Sequence, residues 1–347
     1  MIPATPAQTT PADVKHDDNA VDISVIVTTY NHAKTAWRCL ESILTQRTKF
    51  TFEIIVGDDG STDGTIKLLE RAAKLAPHIV RLYEAPRFEN TYRLGYPTAR
   101  RLHSELITKA RGRFITFIDG DDFYMDERKL DLQASFLDQE EEYVACCHDT
   151  GIWRGKRFLR RHLETKQRDN EVTFDAVASG DKYFFLHSFM YRRIFPMGTV
   201  PERFREPYFT DYGIALYFLE HGKCRYMDRP MTAYNITGAG VWSSLTQLEK
   251  LRSRLWIRED LMQLYDGEKK TALWVGWYQN LRVYRNEALK ALRRTKNPLI
   301  LVNLALTTLH LMWGYPKYRR FVRKYRETYL DGSELRTARR INLFEPQ

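Results

Sequence analysis

The sequence predicts an α/β fold: a mostly parallel sheet flanked by helices, with an α-helical extension at its C-terminal end. Three observations lead there. Apolar runs rich in β-branched and aromatic residues recur at 22–30, 52–59, 79–83 and 114–119, and such runs read as strands buried on both faces. Segments with apolar residues at helical spacing separate them, so strand alternates with helix and right-handed crossovers follow. From Leu245 onward only long helical patterns remain, their flanks crowded with arginine and lysine.

The first strand, Asp22 to Tyr30, precedes a helix from Ala36 to Gln46 whose Trp37, Leu40, Ile43 and Leu44 share one face. A second strand, Phe52 to Asp59, ends in two acids and the turn Gly60-Ser61-Thr62-Asp63-Gly64. Ser61, Thr62 or Asp63 can cap the helix that follows, with Ile66, Leu69 and Ala73 on its apolar side. A third strand, Ile79 to Tyr83, leads to a polar loop holding Arg87, Glu89, Asn90, Tyr92 and Arg93, then to a helix over Pro97 to Lys109. The fourth strand runs into Asp119-Gly120-Asp121-Asp122, followed by a helix from Lys129 to Gln139 and a strand from Tyr143 to Cys147.

The stretch from Gly151 to Arg168 is strongly basic and poorly periodic, which predicts an exposed excursion. Tyr183 to Tyr191 reads as a strand carrying His187 and Ser188, and Asp211 to His221 as a helix closed by Gly222. Cys224 to Met227 and Thr232 to Ile236 read as two short strands. Helical patterns then cover Leu245–Tyr265, Lys270–Arg294, Pro298–Trp313 and Tyr318–Tyr329. Leu299 to Trp313 is apolar but short of the roughly 20 residues that span a bilayer. Two readings of it stand: a buried core helix, or a helix lying in the membrane interface beside its basic neighbours.

A net charge of +10 over 347 residues favours an anionic partner, whether nucleotide phosphate, nucleic acid or an acidic membrane surface. No nucleic-acid module is recognisable, so nucleic acid is not expected. The four cysteines show neither CxxC nor His spacing for zinc, and a reduced cytoplasmic setting is the simpler reading. Residues 1–20 are polar without an apolar core, a disordered leader rather than a signal peptide. The first strand is not followed by GxGxxG, which argues against a dinucleotide site, and the absence of GxxxxGK[ST] excludes a P-loop.

Ligands of such sheets bind beyond the carboxyl ends of the strands. Three of those ends are polar here: Thr28-Thr29-Tyr30-Asn31, Asp58-Asp59 and Asp119 to Asp122. The carboxylates around Gly120, a residue expected to let the backbone turn sharply, repel one another if unpaired. A hard cation, Mg²⁺ or Mn²⁺, would relieve that repulsion through oxygen ligands. A solvated turn ahead of the next helix is the other reading.

SVIVTTYNHA, EIIVGDDGSTDGT and ITFIDGDDFYMDERKLDLQ resemble three successive signatures of inverting family-2 glycosyltransferases with a GT-A fold. YFTDYGIALYFLEHGKCRYMDRPMTAYNITGAGVWSS is similar to the acceptor-side half of the same enzymes, particularly those of bacterial surface-polysaccharide synthesis. The resemblance implies a GT-A (Rossmann-like) domain at 21–244, split into a nucleotide-binding half (21–125) and an acceptor half (126–244), with a helical region at 245–347. It puts Thr28, Tyr30, Asp59 and Asp119 at the nucleotide, and Asp119, Asp121 and Asp122 at a Mn²⁺ or Mg²⁺ ion. Asp211 falls where the family keeps its catalytic base, preceded by Thr210 in place of the usual Glu or Gly. Trp242 matches a residue near the acceptor or donor sugar, and His187 and Arg93 are further candidates there.

The reaction that the resemblance implies moves a sugar from a nucleotide-diphospho-sugar, UDP-linked as is most usual in that family, to a glycan or lipid-linked acceptor. It would take place in the cytoplasm or at the inner face of the plasma membrane, with peripheral contact through the basic C-terminal helices or with those helices merely packed. Structural alternatives accompany each residue: Asp211 as an ordinary N-cap with a depressed pKa, His187 as a buried strand histidine, Trp242 as core, and Arg87 and Arg93 as solvated. A nucleotidyltransferase or a non-catalytic nucleotide-sugar-binding protein are the alternative functions.

Overall fold

The computed structural model describes residues 21–85, 100–163, 171–180, 184–206, 209–238 and 240–295, with 307–310, 312–317 and 320 near the C-terminal end. Residues 1–20, Arg87, Arg93 and most of the last two expected helices lie outside the described residues.

Four parallel strands make the first half of the sheet: β1 (Ile23–Thr29), β2 (Phe52–Asp58), β3 (Val80–Glu84) and β4 (Phe114–Asp119). β1 pairs with both β2 and β4, in registers that align Thr29 with Asp58 and Thr28 with Asp119. Their polar ends therefore meet at one rim. Helices α1 (Ala36–Leu44), α2 (Thr65–Leu75) and α3 (Arg100–Lys109) make the connections. Alternation along the strands sorts the core into two layers. Ile23, Val25 and Val27 pack with Leu40, Leu69 and, from α4 (Lys129–Gln139), Leu130. Ile26, Ile115 and Phe117 pack instead with Leu102, Leu106 and Phe218.

The second half is built differently. It contains β5 (Phe123–Tyr124), β6 (Tyr143–Arg154), β7 (Arg157–Arg161), β8 (Glu171–Val172), α5 (Phe174–Ala178), β9 (Met190–Arg192), α6 (Asp211–Leu219) and β10 (Lys223–Asn235). The strand order is β3-β2-β1-β4-β9-β6-β10-β5, with β7 on β6 and β8 on β10. β9 runs antiparallel to both neighbours, whereas β10 runs parallel to β6.

Four expectations need correction here. The basic stretch after Gly151 is exposed at residues 154–160, as expected, but it is regular there: β6 continues to Arg154 and turns into β7, forming a hairpin at Gly155. Tyr183 to Tyr191 is not one strand, since Leu186–Ser188 winds into a 3₁₀ turn and only Met190–Arg192 extends. The two short strands near Pro230 are a single strand, whose register shifts against β6 absorb a proline that cannot donate to the ladder. Gly222 does not cap α6 with a left-handed turn. It is small because an added Cβ would stand 2.6 Å from Val144 Cγ1.

Three further helices follow: α7 (Val241–Ser244), α8 (Gln247–Leu261) and α9 (Gly267–Thr295). Thr246 and Glu249 form a capping box at the start of α8. Leu261, Tyr265, Ala272 and Leu273 join the same buried cluster as α5 and α6, so the extension is welded to the sheet domain. Close approach explains Gly276: a Cβ there would lie 2.3 Å from the Ala178 carbonyl and 2.7 Å from Arg258 Nε. No helix among the described residues is long and apolar enough to cross a membrane.

Candidate active site

The rim begins where β1 ends. Thr28 donates to Asp119 at 2.5 Å and lies 3.4 Å from His103 Nε2. Tyr30 is half-buried, and Asn31 takes a left-handed φ of 54°. That unusual backbone is held by Asn31 N–H donating to Ser61 and by Thr62 N–H donating back to the Asn31 side chain. The two acids after β2 divide their work. Asp58 accepts from Thr29, Ser61 N–H and Ser61 Oγ, building the turn. Asp59, also buried, donates its backbone N–H to the Thr29 carbonyl.

Beyond β4 the chain turns at Gly120, where an added Cβ would stand 2.6 Å from Thr29 Cγ2 and 2.9 Å from His32 Nδ1. The turn is tight, as expected, with Asp122 N–H donating to the Asp119 carbonyl at 2.9 Å, and since the Gly120 backbone is not left-handed the glycine is there for close approach. Asp121 is pushed up to about 7 by burial and by Asp122, while His32, 3.9 Å away, opposes the shift. The turn is thus short of positive charge, and its oxygens suit a hard divalent cation. Among the described residues no group of three or more His, Cys, Asp or Glu side chains could hold a metal ion by itself. A cation held by one or two carboxylates and completed by substrate phosphates needs no such cage.

Asp122 points inward. Its Oδ1 accepts from Asn235 N–H at 2.8 Å and its Oδ2 lies 2.9 Å from His187 Nδ1. Burial lifts this carboxyl and lowers His187 to about 3, so the pair shares one proton as a neutral hydrogen bond. The side chains of His187 and Asp122 are only 5% and 3% exposed. The ring expected near a sugar instead braces the acid turn from behind, and Asp122, expected at the ion, has both oxygens engaged. Phe185 stacks on His187 and on Tyr234, whose phenol is raised to about 12 by burial and by Asp122, Asp121 and Asp119.

Asp211 is the first residue of α6, with Thr210 in the cap position. Its Oδ1 accepts from Tyr212 N–H at 2.9 Å. Solvent reaches it, yet protein crowds it on the remaining sides. That crowding raises its carboxyl, and the charge of Asp119 adds to the shift. Asp211 also lines a cavity of about 20 Å³, roughly the room of one water, with Phe184, Leu186, Phe189 and Tyr212. Tyr212 donates to the Ala178 carbonyl at 3.0 Å and lies under the Arg258 guanidinium. Trp242, in α7, is half-buried with Arg254 5.6 Å from its ring.

Two sets of acids thus carry raised proton affinity: the turn at Asp121 and Asp122, and the separate carboxylate of Asp211. His32, Asn235, Phe185 and Tyr234 were not singled out by sequence, because each meets a partner far along the chain. Only the position of Asn235 at a strand end beside a Gly-rich loop was visible.

The profile of Glycosyl transferase family 2 matches residues 24–197, half of the chain. The chain belongs to that family. Among curated relatives, an uncharacterized protein of Mycobacterium tuberculosis is 24% identical over 64% of this chain and 61% of its own length. The uncharacterized glycosyltransferase YibD of Escherichia coli is 30% identical over 42% of this chain and 45% of its own. The match thus spans less than two thirds of either relative. Residues 1–349 of Staphylococcus aureus TarS, solved with UDP-GlcNAc, superpose with a TM-score of 0.54 at 17% identity, covering 88% of this chain and 92% of that one. The TarS structure with UDP superposes with a TM-score of 0.53 at 17% identity, covering 78% and 75%. This likeness is one of fold: a GT-A sheet domain with helices after it.

Proposed function

We propose that this family-2 glycosyltransferase is metal-dependent and inverting, and moves a sugar from a UDP-linked donor to a glycan or lipid-linked acceptor in bacterial surface polysaccharide synthesis. The observation that carries the reading is the raised carboxyl of Asp211 at the start of α6, a shift to which the charge of Asp119 contributes. A general base for a sugar hydroxyl works best when its pKa lies above the ordinary carboxylate range, and it must face the donor site.

Thr28, Tyr30 and Asp59 hold the nucleoside, and Asp119 braces the ribose side through Thr28. Asp121, with Asp119, would hold Mn²⁺ or Mg²⁺, which supplies positive charge against the diphosphate as its negative charge grows. Asp122, clamped by His187 and Asn235, keeps that turn in place. Asp211 takes the proton of the incoming hydroxyl, and a single displacement inverts the anomeric carbon without a covalent intermediate. Trp242 stands beside the sugar, and Arg93, outside the described residues, is a further candidate there. Residues 21–244 form the transferase unit, as halves 21–125 and 126–244, and residues 245–347 are its helical flank. The basic C-terminal helices meet the inner face of the plasma membrane peripherally.

Incubating the protein with a panel of nucleotide sugars, with and without Mn²⁺, tests this. Metal-dependent release of nucleoside diphosphate is the expected result. Release of pyrophosphate, or no turnover with any acceptor, would overturn it.

A further inference from the structure

The β6–β7 hairpin is the most exposed charged feature among the described strands. Arg154, Lys156 and Arg157 at its tip are exposed, and none of the three has a carboxylate partner among the described residues. Phe158 and Leu159 are 43% and 40% exposed, unusual for large apolar side chains on a strand. Exposure of this kind ordinarily goes with mobility, but this hairpin is held at both ends. At its base, buried Asp149 accepts from Arg161 at 2.5 Å and from the backbone of Thr150 and Leu163, while Arg161 also binds Asp228.

At its tip, both backbone groups of Gly155 are engaged. Arg38 donates to the Gly155 carbonyl at 3.0 Å while its guanidinium lies 3.4 Å from the Phe123 ring centre. The Gly155 N–H donates to the Asn235 side-chain oxygen at 3.0 Å. Asn235 in turn gives its side-chain N–H₂ to the Asp121 carbonyl at 3.1 Å and its backbone N–H to the Asp122 carboxylate. One asparagine thus joins the hairpin tip to the acid turn. From that turn a row of rings leads outward: Phe123 edge-on to Trp153, and Trp153 edge-on to exposed Phe158.

We propose that this hairpin is the docking arm for an anionic glycan acceptor, with Asn235 as the positioning residue that registers the arm against the acid turn. Rings that expose their faces stack on sugars, and unpaired cations beside them bind carboxylate or phosphate groups on the same chain. Rigidity matters because a pre-ordered arm loses little entropy on binding. A lipid surface would also meet cations and apolar side chains, but it would not require a tip bonded to the catalytic turn. The inference rests on the transferase reading above and extends it to the acceptor class.

The test uses the full chain and three probes: an alginate oligosaccharide (sugar rings with carboxylates), inorganic polyphosphate (charge without sugar), and phosphatidylglycerol vesicles. The expected result is alginate binding that falls tenfold or more in R154E/K156E/R157E. Phe158→Ala should weaken alginate but not polyphosphate, while the melting temperatures of both variants stay near that of the wild type. Polyphosphate binding alone, with no loss in F158A, would assign the arm to a phosphate chain rather than a glycan and overturn the sugar part. Unchanged alginate binding in the triple variant, or sedimentation with vesicles while neither polyanion binds, would overturn the proposal. Asn235→Ala should leave alginate affinity intact yet raise the acceptor concentration needed for half-maximal transfer and lower kcat, because the arm is no longer registered. An N235A enzyme with wild-type kcat and KM removes the positioning role. If no nucleotide sugar is turned over while the arm still binds alginate, the transferase reading fails and the docking surface stands.

Discussion

The two halves of the sheet solve the same packing problem in opposite ways. Residues up to Asp119 use parallel strands joined by helices, so each polar group of the rim comes from the end of the element that precedes it. Beyond Asp122 an antiparallel strand, a 3₁₀ turn and a hairpin intervene, and the side chains that matter are fixed by partners far away in sequence. His187 is set by Asp122, and the hairpin tip by Asn235. The first half places its polar rim by topology, and the second places its side chains by cross-bracing.

Substitutions can separate these two modes. The largest effect is expected from Asp211→Asn, which should cut transfer by about 10²–10⁴-fold while UDP binding survives. Loss of UDP binding in the same variant would mean that the halves are not separable. Next, Asp121→Ala should weaken Mn²⁺-dependent UDP binding about tenfold or more, measured by calorimetry. Asp122→Ala should instead lower the melting temperature, since it leaves the buried His187 without its partner. Equal effects from both would erase the distinction between a ligand and a brace.

The pH profile gives a third contrast. Asp211 is raised by the protein that crowds it and by Asp119, and as the proposed base it would act only when deprotonated. Activity should therefore rise with pH through a limb above the usual aspartate range, and a limb near 4 would remove it as the base. Gly276→Ala should destabilise the protein by about 1–3 kcal/mol, because the new methyl meets the Ala178 carbonyl.

The smallest effect concerns Lys129, fully buried in α4, 3.2 Å from Thr116 Oγ1, and lowered to about 7 by burial. Between that value and 10.5 the unfolded chain keeps a proton that the folded chain releases. Its cost to stability is thus absent at high pH, grows as pH falls, and is complete below about 7. Lys129→Met should raise the melting temperature by about 5 °C, more at pH 6 than at pH 10. An equal gain at both would show that the ammonium carries no such cost.

How much could be read without coordinates follows the same division. The strands of the first half announced themselves because a run such as Ile115 to Ile118 is buried on both faces, and the acids came at its end. The hairpin was missed because β7 is solvated on both sides, so Arg157 to Arg160 show no alternation between buried and exposed positions. Pro230 suggested a break that a register shift repairs. Asp211 was legible by motif, but the direction of its proton affinity was not, since crowding belongs to the fold and not to the neighbours in sequence.

Gly276 has one more implication. Because α9 sits flush on Ala178 and Arg258 there, and Arg258 covers the ring of Tyr212, tilting α9 would shift the residue next to Asp211. With Asp211 as the base proposed above, whatever grips that helix from outside holds a handle on turnover.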